Sequence, residues 1–316
     1  MRKSIKLISF LLAIMIVSSL TACAEGGEKY EIGICQLVEH SAHNQATQGF
    51  MDALNEELGE DNIRYDIQSA QNDITTCSSI INQFVSNDVD LILANATAVL
   101  QTAASATSDI PILGTSVTEY GVALDIEDFN GTVGRNISGT CDLAPLDEQA
   151  KMITEWVPDA KSAALIYCSA EANSQYQVDV VAGELEKMGV EANLYPFADS
   201  NDLAAVCQSA AEENDVIYVP TDNTVASNAG IIDNICRPLK KVVIAGEEGT
   251  SCGAAALSIS YYDMGYTTGK MAAKILRGEA DISEMPIEYT NAAKKYNKEL
   301  CDELGITVPD GYTPIS

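Results

Sequence analysis

LILANAT, residues 91–97, combines an apolar strand, a polar turn and the approach to a helix in seven residues. Residues 91–95 form a nearly continuous apolar run, which is typical of a strand covered on both faces of a parallel sheet. A helix is expected to begin near Ala98, directly after the turn. Repeated along a chain, this strand, turn and helix unit indicates an α/β fold.

The unit does repeat, because short apolar runs alternate with amphipathic stretches from Tyr30 to the C-terminus. This alternation predicts parallel α/β sheets. Helices are expected at 44–58, where Phe50, Leu54 and Leu58 recur at helical spacing, and at 174–188. One strand-helix series begins at residue 31 and a second at 162, which favours two sheets over one. The expected strands are 31–37, 64–69, 91–95, 110–114, 162–167, 192–195, 216–219, 242–245, 255–260 and 286–289.

The N-terminus has the pattern of an export signal. Arg2, Lys3 and Lys6 precede an apolar run at 7–17 that is too short for a membrane span of about 20 residues. The run ends in Leu-Thr-Ala-Cys, which resembles the bacterial lipobox, so residues 1–22 are predicted to be removed and Cys23 to be lipidated. Residues 23–29 then form a tether. The alternative is an ordinary signal peptide with an incidental cysteine.

The composition bounds the class of protein. Loss of the three basic residues of the signal moves the net charge from −28 to −31, which argues against a nucleic-acid partner. No second apolar stretch of membrane length follows the signal, so the remaining chain is expected to be soluble. The cysteines are scattered without a Cys-x-x-Cys pair, so no zinc site is expected. One or two disulfides are an alternative to free thiols.

Loops at the carboxyl ends of parallel strands form the binding crevice of such folds. The loop after the first strand contains Glu39 and both histidines, His40 and His43. Two interpretations stay open for the histidines, a metal site and a capped loop that lines the cleft. The loops after the third and fourth strands present hydroxyls at Thr97, Ser116 and Thr118. These hydroxyls are candidates for binding a carboxylate near a helix N-terminus, with N-capping as the alternative.

The corresponding loops of the second half carry carboxylates instead. They are Ser169 to Ser174 with Glu171, the turn containing Asp222, and the pair Glu247-Glu248. A carboxylate on the cleft floor suits an ammonium group, because charge-assisted hydrogen bonds are about twice as strong as neutral ones. Alternatively, the glutamates form a solvated acidic surface and Asp222 caps a helix. Hydroxyls facing carboxylates suggest a zwitterion, as in an amino acid.

Several tracts resemble the tryptophan/tyrosine-type branch of ABC transporter substrate-binding proteins, and the resemblance runs from about Tyr30 to about Leu304. The tracts are GTSVT (114–118), SGTCDLAP (138–145), SAEANSQ (169–175), PTDNTVASN (220–228), GEEG (246–249) and YYDMGYTTGKMA (261–272). The resemblance implies the type I periplasmic-binding-protein fold, with two doubly wound parallel-sheet α/β domains joined by a three-strand hinge. With crossings near 161, 253 and 281, the N-terminal lobe would comprise 30–160 plus 254–280 and the C-terminal lobe 161–253 plus 281–316.

The resemblance also implies a role. The chain would be a monomeric, extracytoplasmic solute-binding lipoprotein that presents an amino acid, with tryptophan, tyrosine or phenylalanine favoured, to an ABC permease and its ATPase. No cofactor, metal or catalytic residue is expected. Alternatives are a ligand-sensing module for a membrane receptor and a binding protein for another solute such as a nucleoside. The matching loops assign Thr97, Ser116 and Thr118 to a carboxylate, Asp222 to an ammonium, and Glu39, Asn173, Asn223 and Glu247 to cleft-lining contacts.

Two departures from the family pattern bear on the ligand's side chain. Relatives more often have His-Pro-x-Leu-Asp in the first loop, where this chain has His40-Ser41-Ala42-His43-Asn44, and Asp-Pro where it has Glu119-Tyr120. Aromatic ligands usually need aromatic or flat apolar walls. Tyr120, Tyr167 and Tyr218 are the candidates for such walls.

Overall fold

The computed structural model describes residues 29–248 and 250–315. The predicted signal peptide, the lipidation site Cys23 and the tether up to residue 28 lie outside the described residues. The strands are β1 (Tyr30–Gln36), β2 (Ile63–Ser69), β3 (Leu91–Asn95), β4 (Ile112–Val117), β5 (Ile137–Cys141), β6 (Ser162–Cys168), β7 (Glu191–Phe197), β8 (Val216–Val219), β9 (Val243–Ala245), β10 (Ala255–Ile259), β11 (Glu288–Tyr289), β12 (Ala292–Tyr296) and β13 (Thr313–Pro314).

Helices follow most of the strands. They are α1 (Ser41–Leu58), α2 (Ile74–Ser86), α3 (Thr97–Ala106), α4 (Tyr120–Ala123), α5 (Leu146–Trp156), α6 (Ala172–Lys187), α7 (Ser200–Glu213), α8 (Asn223–Ser227), α9 (Ala229–Cys236), α10 (Tyr261–Leu276) and α11 (Lys298–Leu304). Short 3₁₀ turns lie at Glu60–Asn62 and Ile282–Glu284.

The strands form two sheets, as the sequence predicts. The first has the order β11-β5-β4-β3-β1-β2 and the second the order β13-β12-β10-β9-β8-β6-β7. All strand pairs of the first sheet are parallel, and in the second only β10 and β12 pair antiparallel. We call each sheet with its helices a lobe.

Each sheet is covered on both faces. In β3, Leu91 and Leu93 belong to one apolar core, whereas Ile92 and Ala94 belong to the core on the opposite face. Strand β6 alternates in the same way between the two cores of the second lobe. Side chains alternate between faces along a strand, so continuous apolar strands result. The predicted doubly wound α/β fold is therefore confirmed.

The chain crosses between the lobes three times, at positions other than those expected. Helix α5 packs in the core of the second lobe, so the first crossing lies at residues 142–145 rather than near 161. Strand β10 pairs with β9 and β12, so the second crossing follows at Ser260 rather than near 253. Strand β11 pairs with β5 of the first sheet, and the third crossing lies at 290–291 rather than near 281.

The expected lobe boundaries are corrected accordingly. Residues 146–160 and β10 belong to the second lobe, and β11 belongs to the first. The physical reason is that lobe membership follows long-range strand pairing and helix packing, which the local pattern of apolar residues does not contain.

Helices α1 and α10 pack with their backbones in close approach. A Cβ atom built on Gly265 would lie 1.9 Å from the carbonyl oxygen of Ala46, and one built on Gly49 would lie 2.1 Å from that of Tyr262. Only glycine therefore fits at these contacts. The pair fixes the start of α10, at Tyr261, relative to the first sheet.

All eight cysteines among the described residues are buried free thiols, so the predicted interpretation as small buried hydrophobes applies to them. Two pairs approach each other, with Sγ atoms 3.9 Å apart for Cys35 and Cys77 and 3.8 Å apart for Cys207 and Cys236. Within the described ranges, no helix has the length and apolarity that a membrane span needs.

Candidate cleft between the two lobes

The carboxyl ends of the strands in the two sheets face each other across a cleft. The Asn72 amide donates to Thr224 Oγ1 across it at 3.3 Å. At its rim lies a cavity of about 380 Å³, lined by Leu37, Asn72 and Ala98 from the first lobe and by Glu171 and Thr224 from the second, among others. This volume falls within the range of about 300–1,000 Å³ typical of small-molecule sites.

Buried polar atoms without a hydrogen-bond partner concentrate at this cleft. Among the described residues they include His40 Nε2, Asn95 Oδ1, Ser116 Oγ and Asp142 Oδ1. All four residues lie at or just beyond the carboxyl end of a strand of the first sheet. An unpaired buried polar atom costs roughly 1–3 kcal/mol, so such atoms are rare unless a ligand, ion or water pairs with them.

The backbone is strained at two of these strand ends. Ala96 has a φ of 124° and Ser116 a φ of 54°, values that residues with a side chain seldom adopt. Ala96 precedes α3 and provides no side-chain cap, so the first N–H groups of α3, beginning at Thr97, have no capping side chain. Strain of this kind tends to occur at functional sites. Together with the free Ser116 hydroxyl, this end of the first lobe presents neutral hydrogen-bond donors.

On the opposite wall, Glu171 organises the second lobe. Its carboxylate accepts hydrogen bonds from the backbone N–H groups of Asn223 and Thr224, at 3.0 and 2.9 Å, and from both of their side chains, at 2.7 and 2.8 Å. Asn173 donates to the same carboxylate at 3.3 Å. Glu171 is 8% exposed, so the alternative of a solvated surface does not apply to it.

Asp222 caps α8. One oxygen accepts from the Val225 N–H at 2.8 Å and the other from the Cys168 N–H at 2.7 Å. N-capping, the alternative considered for this residue, is what these contacts show, and an ammonium contact by Asp222 stays a prediction. Burial raises the pKa of Asp222, and the negative charge of Glu171 raises it further.

A second buried acidic group lies where the lobes join. The Tyr261 hydroxyl lies 2.8 Å from Glu247 Oε2 and 3.2 Å from Asp142 Oδ2. Burial raises the pKa of Asp142 and of Glu247 to about 7 each. Of the pair Glu247-Glu248, only Glu247 is fully buried, whereas Glu248 is partly exposed and accepts a hydrogen bond from Ser258 at 2.8 Å.

The two histidines line the cleft as neutral groups. Their rings lie 4.0 Å apart, and His43 Nδ1 contacts the Val38 carbonyl at 2.9 Å. Burial lowers the pKa of His43 to about 3, and it also lowers the pKa of His40. Within residues 29–248 and 250–315, no group of three metal-ligating side chains comes together. The burial of His43 and its contact with the Val38 carbonyl fit the interpretation of a loop that lines the cleft.

The structure brings together most of the predicted site residues. Thr97, Ser116, Thr118, Asn173, Asp222 and Glu247 are buried where the lobes meet, and Asn223 is half-buried beside them. Glu39 is exposed, because it lies in the loop before α1. The three tyrosines considered as aromatic walls are part of the apolar cores instead; they are Tyr120, Tyr167 and Tyr218.

Sequence analysis missed Asn95, Asp142 and Tyr261 as site residues. Asn95 ends a predicted strand, and its terminal position was a usable signal. Asp142 follows β5, which was not predicted because its sequence ISGTC is short and half polar. Tyr261 begins a helix whose approach to the cleft depends on the corrected second crossing.

Comparison with known proteins identifies the family. The family described as ABC transporter substrate binding protein matches residues 31–313. The chain belongs to this family. Proteins of this family bind solutes for ABC transporters, and the substrate-binding proteins of ABC importers are extracytoplasmic.

Three relatives are especially informative. This substrate-binding protein is 35% identical over 309 residues to a tyrosine-binding protein of Clostridioides difficile, covering 91% of this chain and 88% of the relative. An ABC domain from Streptococcus pneumoniae in complex with L-Trp matches with a TM-score of 0.86 at 28% identity, covering 91% of this chain and all of the other. A ligand-free, open substrate-binding protein with adhesive properties from Clostridium difficile matches with a TM-score of 0.70 at 36% identity, covering 91% and 99%.

The last two comparisons differ in how closely their overall shape matches this chain. The open structure is the more similar in sequence but the less similar in shape. This chain is thus nearer in overall shape to the L-Trp complex, and Asn72 contacts Thr224 across its own cleft.

Proposed function

We propose that this substrate-binding protein takes up a small amino acid between its lobes, with an aromatic amino acid favoured, and delivers it to a membrane permease paired with a cytoplasmic ATPase. Anchoring would come from lipidated Cys23 on the outer face of the membrane. The names of a tyrosine-binding relative and of an L-Trp complex support the choice of ligand class.

The observation that carries the proposal is the unequal chemistry of the cleft walls. The first lobe offers the uncapped start of α3 and the unpartnered Ser116 hydroxyl, both of which are neutral donors suited to a carboxylate. Buried carboxyl groups lie opposite and at the hinge, at Glu171, Asp222, Glu247 and Asp142.

Among the residues that the structure describes, no basic side chain pairs with these acids. Every ion pair among the described residues is formed by side chains at least 23% exposed, and none includes a cleft carboxyl group. Burying a charge is costly unless it is paired. An ammonium group on the ligand would supply the missing positive charge, and its carboxylate would meet the neutral donors.

A thermal-shift screen of residues 24–316 tests the ligand class. L-tryptophan, L-tyrosine, L-phenylalanine, L-leucine and adenosine are compared, since a ligand at 100 times its Kd stabilises the folded state by about 2.7 kcal/mol. We expect a rise in Tm with at least one aromatic amino acid. Tryptamine and indole-3-propionate, which each lack one charged group, should bind more weakly than L-tryptophan.

Ser116→Ala should weaken binding of the amino acid about tenfold, because the carboxylate loses a buried donor. Ser105→Ala is the matched control, since Ser105 is exposed on α3 and its hydroxyl bonds only to the Gln101 carbonyl. Stabilisation by adenosine alone would refute the amino-acid proposal.

For the anchor, Cys23→Ser should move the protein from the membrane fraction to the soluble fraction. Uptake into vesicles that contain the permease and ATPase tests delivery.

A further inference from the structure

Asp142, Tyr261 and Glu247 form a buried cluster that has fewer hydrogen-bond donors than its carboxyl oxygens need. Their exposed fractions are 4%, 6% and 3%, and the Tyr261 hydroxyl contacts one oxygen of each carboxyl group. A tyrosine hydroxyl has a single proton to donate. If both carboxyl groups were ionised, one of them would face a phenol lone pair instead of a donor.

The remaining oxygen of Asp142 adds to this shortage. Asp142 Oδ1 is buried and has no hydrogen-bond partner among the described residues. The cluster therefore accepts at least one additional donor, and a proton on a carboxyl group or a cation brought by a ligand would also neutralise its buried charge.

The cluster also lies at the hinge. Asp142 is the first residue of the first crossing, and Tyr261 directly follows the second crossing at Ser260. Glu247 follows β9 of the second lobe, whereas Tyr261 begins α10, which packs on the first lobe. The contact between Tyr261 and Glu247 thus joins the two lobes.

We propose that Asp142 and Glu247, bridged by Tyr261, form the subsite for the ligand's ammonium group, and that a proton occupies this subsite when the cleft is empty. An ammonium group has three donors and a positive charge, so it pairs with Asp142 Oδ1 and neutralises the carboxyl groups. This inference rests on the proposed function, because it requires a ligand with an amine.

The surroundings of the cluster favour a bound proton. Burial raises the pKa of both carboxyl groups to about 7, and the charge of Glu247 acts in the same direction on Asp142, whereas the hydroxyls of Thr118 and Tyr261 act in the opposite direction. Thr250 also contacts Glu247, at 3.4 Å, and the charge of Glu171 raises the pKa of Glu247 further.

Charged groups on the remaining sides do not neutralise the cluster. The phenol of Tyr120 and the thiol of Cys141 lie near Asp142 as neutral groups whose pKa values are raised. Behind Tyr261, Glu248 and Lys295 line a separate cavity of about 540 Å³. Neither Lys295 nor any other basic residue of the described chain forms an ion pair with Asp142 or Glu247.

Calorimetric titration with L-tryptophan and L-tyrosine at pH 6, 7 and 8 tests the subsite. Phosphate and Tris buffers are compared, because their different ionisation enthalpies reveal proton release. We expect affinity to rise about tenfold between pH 6 and pH 8 for each carboxyl group that must lose a proton, with that proton released to the buffer. Affinity that is independent of pH, without proton release, would overturn the inference and leave the amino-acid function intact.

Two variants separate ligand binding from support of the fold. Asp142→Asn and Glu247→Gln should each weaken binding at least tenfold at pH 8 and remove the part of the pH dependence that the replaced carboxyl group contributes. The same variants should raise the Tm of the empty protein at pH 8, because the ionised carboxyl group no longer has to be buried. A purely structural role predicts a lower Tm instead. Glu248→Gln is the control, and it should change neither affinity nor Tm.

Failure of the proposed function gives a different result. If neither amino acid binds and a neutral solute does, the ammonium role falls together with the proposed ligand class. The presence of the bound proton is then tested by the Tm of the empty protein. The Tm should fall from pH 6 to pH 8 in the wild type and fall less in Asp142→Asn. An equal fall in the two proteins would refute it.

Discussion

Gly265→Ala should destabilise the first lobe, because α1 and α10 pack too closely for a methyl group. The added Cβ would lie 1.9 Å from the Ala46 carbonyl oxygen, whereas ordinary contacts begin near 3.4 Å, so the helices must separate by roughly 1.5 Å. Overpacking of this kind costs about 1–3 kcal/mol, and the gain in helix propensity, about 1 kcal/mol, offsets part of it. The net loss is therefore up to about 2 kcal/mol, which corresponds to a fall in Tm of up to about 8 °C.

Circular dichroism melts of the empty protein at pH 7 provide the assay. Gly183→Ala is the matched control, because Gly183 lies within α6 and nothing lies within 4 Å of an added Cβ there. The control should gain up to about 1 kcal/mol from helix propensity and melt at or above the wild-type temperature. If Gly265→Ala melts as high as Gly183→Ala, the close packing of α1 and α10 is refuted.

Three further changes test the cleft. Asp222→Ala should lower the free energy of unfolding in urea by about 2 kcal/mol or more, because two buried N–H groups lose their acceptor. Asp222→Asn should cost less, and equal costs would refute the capping role. Burial holds the pKa of His43 near 3, below that of the unfolded chain, so its contribution to stability is lost as pH falls below about 6.5. His43→Gln should therefore lose less unfolding free energy between pH 6.5 and pH 4.5 than the wild type, and a parallel loss would contradict this assignment. Asn72→Ala removes the contact with Thr224 across the cleft. It should weaken ligand affinity about threefold, while the Tm of the empty protein changes by less than about 2 °C. Unchanged affinity would show that this contact does not support closure.

Local sequence patterns were enough to locate most of the secondary structure. Strand β3 matches its expected bounds, and α1 and α6 begin within a few residues of expectation. These elements have strong apolar periodicity and clear polar ends. Strands β5 and β12 were missed because ISGTC and AAKKY lack such a pattern and acquire strand geometry only by pairing with distant neighbours.

The same limit applies to the site. Residues at or just beyond strand ends, such as Thr97, Ser116 and Glu247, could be predicted because parallel strands bring their carboxyl ends to one edge. Asp142 and Tyr261 could not, since their proximity depends on where the chain crosses between lobes. Glu171 was recognised as a candidate, but its role as an acceptor for Asn223 and Thr224 depends on a contact between two loops about fifty residues apart.

The three crossings have a consequence for the order in which the protein acquires its structure. Helix α10 and strand β11 complete the first lobe, yet they come from the last fifth of the chain, after most of the second lobe has been synthesised. A nascent chain that ends before α10 leaves the core around Ile34 and Leu93 without Met271 and Ala272, so that this face is covered only in part, by α1. Apolar surface exposed in this way promotes aggregation. We therefore expect a chain that lacks α10 and β11 to aggregate more readily than the complete protein.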